Sequence, residues 1–234
     1  MNFQMKKTFI SQSTDKLLSS ISNLYYICNV FFPSLLSTFK EYDTSISDDF
    51  SSQFVLLHST IMNILDDAIR LFLNICIVDL ENFISEGLAI GVFDYTLNSL
   101  PSKVRNYVFH VLSCIFSIHS SMKRFRSFLT QRILIKLVET VMANFFLEMQ
   151  PIKEKSSRLG KLGYFQLKME LLFFQEAFKP WLSENAVEFV QKSVDFISQD
   201  NVSIGIDESD NEVIERLLLD SIEKCKLVFQ FSSQ

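Results

Sequence analysis

The sequence predicts an all-α protein, an elongated stack of about seven long antiparallel helices. Hydrophobic residues make up 48% of the chain while only 5 Gly and 4 Pro interrupt it, too few breakers for the many turns of a β protein. Apolar residues recur at spacings of three and four over most of the length, the period of a single helix face. No fixed-period repeat is visible, which disfavours a solenoid of short units and leaves consecutive long helices packed side by side.

Residues 1–13 are polar and unpatterned and are expected to be frayed or disordered. Thr14 and Asp15 start a helix in which Leu17, Leu18, Ile21, Leu24, Tyr25, Cys28, Phe31 and Phe32 recur at spacings of three and four. Pro33 predicts a kink or break before this helix ends near Tyr42, because proline has no N–H and crowds the preceding turn. A polar loop, 43–49, leads to a second helix from Phe50 to about Leu88, more than ten turns long. The third spans Ser102 to about Ser120. The fourth spans Phe128 to about Met149, closed by Pro151. The fifth runs from about Leu159 to Trp181 despite Gly160 and Gly163. Ser183 caps a sixth over Glu184–Ile197, and after an acidic loop the seventh spans Asn211 to about Phe229. These divide the chain into an N-terminal helical hairpin or bundle, 14–90, a structured hinge, 91–101, and a C-terminal helical bundle, 102–234.

The hinge sequence is GVFDYTLNSLP. Gly91 can relax the backbone after the long helix. Pro101 suits the first turn of the next, and Asn98 or Ser99 can cap it. Arg105 is expected to pair with a nearby acid, Asp94 first, so that Asp94 orients the turn and catalyses nothing.

Four cysteines stand far apart with no CxxC pair, the usage of a reducing compartment. No signal peptide follows Lys6 and Lys7. The most apolar stretch, 54–80, is broken by His58, Asp66, Asp67 and Arg70 and does not read as a membrane span. The 24 Phe imply a large interior or partner-facing apolar surface.

Catalysis finds little support. His110, Cys114 and His119 cannot converge from one helix as zinc ligands, Asp66 and Asp67 diverge, and no phosphate-binding glycine loop or nucleophile motif is present. The expectation is no enzyme, no cofactor, no metal and no small-molecule substrate.

Charge is segregated. Residues 1–100 carry a net −6, residues 101–168 a net +9, and residues 169–234 a net −8. Lys123, Arg124, Arg126, Arg132 and Lys136 surround the start of the fourth helix, and Lys153, Lys155, Arg158 and Lys161 its end. Such a segment fits a solvated face, an acidic protein partner or anionic lipid. Nucleic acid is not expected, since the chain as a whole is acidic and shows no binding module.

Certain residues, in order, resemble the Sec-five subunit family of the exocyst, exocyst complex component two, in its C-terminal helical region. They are Ser22-Asn23, Pro33-Ser34-Leu35, then most densely Gly91, Phe93 and Asp94, followed by Leu100-Pro101, Val104-Arg105-Asn106-Tyr107, His119, Gly163, Gln166 and Leu182. The family pattern carries Trp where this chain has Tyr95. The resemblance marks Gly91, Phe93, Asp94, Tyr95, Pro101, Arg105, Asn106 and Tyr107 as a structural hinge. It implies a helical-rod subunit of the complex that tethers secretory vesicles at the plasma membrane, assembled with other exocyst subunits, cytoplasmic and peripheral at secretion sites. The upstream helices and the GTPase-binding domain of animal members have no counterpart, so a fragment or a reduced subunit is expected. The alternative function is a peripheral module binding anionic lipid through the basic 123–161 segment.

Overall fold

The structure, a computed structural model, describes residues 3–42, 48–89, 101, 103–123, 127–155, 161–198 and 208–230. Nearly all of those residues are helical and none is in a strand, in line with the helix-period spacing. In order they form α1 (Phe3–Tyr26), a π-helical segment (Ile27–Phe31), α2 (Phe32–Tyr42), α3 (Asp48–Leu88), α4 (Asn106–Met122), α5 (Ser127–Lys155), α6 (Lys161–Ala177), a 3₁₀ turn (Lys179–Trp181), α7 (Glu184–Ser198) and α8 (Glu208–Gln230). Because α1, the π segment and α2 run on without a gap, the described chain forms seven helical stretches.

Several boundaries differ from the sequence reading. Helix α1 begins at Phe3, ahead of Thr14. Helix α4 begins at Asn106, so Pro101 precedes it as a buried coil residue instead of occupying its first turn. Pro151 does not close α5 but lies inside it; it stands on the exposed side of the helix, where losing one backbone bond close to the end is tolerated. Helix α6 stops at Ala177, and the chain tightens into the 3₁₀ turn where Pro180 has no N–H to continue the α ladder.

The chain forms two compact units, Met1–Cys76 with Ser121–Ile133, and Ile77–Ser120 with Leu134–Gln234. In the first, Leu18, Ile21, Cys28, Phe32, Leu65 and Phe72 are core residues, and the Phe32 ring meets Phe54 edge-on at 4.9 Å. Pro33 explains the π segment. The Phe32 N–H reaches back to the Ile27 carbonyl, leaving the Cys28 carbonyl to the next residue, which is proline and has nothing to donate. His58 Nε2 on α3 lies 3.1 Å from that orphaned carbonyl oxygen and, facing an obligate acceptor, is the protonated nitrogen.

This arrangement predicts a coupling. His58→Leu should cost about 1–2 kcal/mol by leaving the Cys28 carbonyl without a donor. In a Pro33→Ala background, where residue 33 supplies an N–H, the same substitution should cost measurably less. Equal costs in the two backgrounds, read by denaturant unfolding, would remove the explanation.

The second unit is built around α6, in which ten residues between Gly163 and Phe174 are buried. Helices α7 and α8 pack against it. Phe174 stacks on Phe178 at 5.7 Å and meets Phe145 of α5 at 6.0 Å. A helix apolar on nearly every side belongs at the centre of a bundle, and its few polar residues must find partners there.

Candidate functional site

One such residue is Glu170, whose side chain is 0% exposed. Arg105, just ahead of α4, grips it side-on: Nε donates to Oε1 at 2.8 Å and Nη2 to Oε2 at 2.7 Å. The Arg105 backbone N–H donates to Oε1 at 3.0 Å, the Tyr107 hydroxyl to Oε2 at 2.8 Å, and Gln166 Nε2 to Oε1. Five donors thus surround a carboxylate that burial alone would make very costly. Two of its contacts also serve α4, because the carboxylate takes a backbone donor at the helix start and sets negative charge beside the positive end of its dipole.

The remaining guanidinium nitrogen, Nη1, donates to the Gly87 carbonyl at 2.9 Å, in the last turn of α3 where carbonyls lack helical partners. Gln166 also donates to the Lys103 carbonyl at 3.2 Å. Arg105 lies 5.0 Å from the centre of the Tyr107 ring, adding a cation–π contact. Gly87 allows the close approach: a Cβ there would stand 2.5 Å from Tyr107 Cδ1 and 2.7 Å from its Cβ, and closer still to Cγ. The cluster joins the end of α3, the start of α4 and the middle of α6.

The expectation that Arg105 has an acidic partner is met by Glu170; Asp94 lies outside the described residues, as do Gly91, Phe93, Tyr95, Asn98 and Ser99. Asn106 is exposed as the first residue of α4, and Tyr107 is buried within the cluster. Glu170 and Gly87 were missed. The signal for Glu170 was available: a single acid inside the nearly unbroken apolar run of α6 has to be neutralised by a distant cation.

His110 stacks on Phe83 at 5.4 Å, and His119 meets Trp181 edge-on at 5.3 Å, so the two rings have different neighbours. Burial first, and then the charge of Asp79, push the Cys114 thiol up to about 11, which keeps it protonated and unreactive near neutrality. Among the described residues no group of three or more His, Cys, Asp or Glu is placed to hold a metal ion, and no helix is long and apolar enough to cross a membrane.

Of the basic segment, Lys123 is exposed at the end of α4 and Lys161 lies 5.9 Å from the centre of the Phe165 ring. Arg132 pairs with Asp66 at 2.8 Å, and Lys136 with Glu139 at 2.6 Å. Arg124, Arg126 and Arg158, with the side chains of Lys153 and Lys155, lie outside the described residues.

Glu139 does a second task. Besides Lys136 it accepts from Ser183 Oγ at 2.6 Å, while Ser183 Oγ accepts the Ala186 N–H at 3.2 Å and so caps α7 as the sequence predicts. Partial burial pushes the Glu139 carboxyl up, but its hydrogen bonds to Lys136, Ser183 and Asn185, with the Lys136 charge, outweigh that and hold it below the ordinary 4.5. A folded value below the unfolded one stabilises the protein above about pH 4.5, and the benefit is lost as pH falls through the lowered value. Glu139→Gln should therefore cost about 1–2 kcal/mol at pH 7, with the gap to the natural chain closing in acid. A gap independent of pH would show that the charge of Glu139 is not what matters.

Set beside known proteins, the sequence matches the family model described as Exocyst complex component Sec5 over residues 2–230. No curated protein and no solved structure matches it.

Proposed function

The chain belongs to the family of exocyst complex component Sec5, and on that premise we propose that it is a non-catalytic subunit of the vesicle-tethering exocyst. It supports docking of secretory vesicles at the plasma membrane by presenting helix faces to other exocyst subunits, as the C-terminal helical region of the component-two type. It works in the cytoplasm, peripheral to the membrane at secretion sites. The observation that carries this reading is the family match across 2–230. It is supported by the use made of the most polar residues near α4, which are spent on joining helices, and by large apolar side chains left on helix exteriors, among them Leu56, Leu71, Phe128 and Leu219.

Affinity purification of the tagged chain from its own cells, followed by mass spectrometry, should recover other exocyst subunits. Recovery of none of them would overturn the reading. The anionic-lipid alternative is weakened by the engagement of Arg132 with Asp66 and of Lys136 with Glu139. Flotation with anionic liposomes tests it directly: binding that is lost on charge reversal at Lys123, Arg124 and Arg126 would favour lipid.

A further inference from the structure

We draw no further inference here: the strongest candidate, the row of partly exposed apolar side chains on α3 from Leu57 to Ile75, carries nothing, because Asp66 and Asp67, the acids within it, are ion-paired with Arg132 and Arg70 and nothing in the structure shows what covers that face.

Discussion

Replacing Glu170 with leucine is expected to cost about 3–5 kcal/mol of folding stability, a large share of what a domain of this kind has to lose. The loss comes less from the contact removed than from the groups left behind. Arg105, with its side chain 15% exposed, would keep a guanidinium charge facing an apolar wall, and the Tyr107 hydroxyl, Gln166 amide and Arg105 backbone N–H would each lose an acceptor. Glu170→Gln should fall between the natural chain and Glu170→Leu, because the amide retains one acceptor oxygen but no charge. Arg105→Met together with Glu170→Met should be less damaging than the two single costs added, since a buried ion pair removed as a whole leaves no unpaired charge. Urea unfolding of the five variants, the two methionine singles included, gives these values. A Glu170→Leu chain within about 0.5 kcal/mol of the natural one would mean that the cluster does not hold these helices together.

Gly87→Ala should also destabilise, by about 1–3 kcal/mol. Propensity argues the other way, for alanine is favoured over glycine within a helix by about 1 kcal/mol. Geometry decides the sign. The new methyl would press on Tyr107 at ring and Cβ atoms, which lie too near the backbone to swing aside, so the start of α4 has to retreat. That movement takes with it the Arg105 bond to the Gly87 carbonyl and the Tyr107 bond to Glu170. Gly87→Val should be worse than Gly87→Ala, as the larger side chain demands more displacement. A melting temperature raised by Gly87→Ala would show that propensity had won and that the close approach is relaxed at little cost.

These residues also show what a single sequence can and cannot disclose. The helices were legible because each has to bury a face, and burial at the helical period is written locally, as in α4 with Val108, Val111, Leu112 and Ile115. The Ser183 cap and the distortion ahead of Pro33 were legible for the same reason: each is decided within one turn of chain. The pairing of Arg105 with Glu170 was not: the two stand 65 residues apart, and although an acid in the apolar run of α6 calls for a cation, local spacing does not say which one crosses the core to meet it. Gly87 was passed over because its importance lies in an atom of Tyr107 brought up against it by the fold. Spacing likewise reveals that α3 is broadly apolar, but only the packed structure tells that Leu57, Ile64 and Leu71 are left to the solvent.

If the outer surfaces of firmly packed helices carry the function, hydroxyl-radical footprinting, which reads side chains one by one, will show it on the full chain alone and within the purified assembly. Exposed apolar side chains such as Leu56, Ile64, Leu71 and Leu219 should lose reactivity in the assembly, while the buried Phe165, Phe173 and Phe174 stay unreactive in both. Exposed side chains that react equally in both states, or core rings that become reactive on assembly, would contradict it.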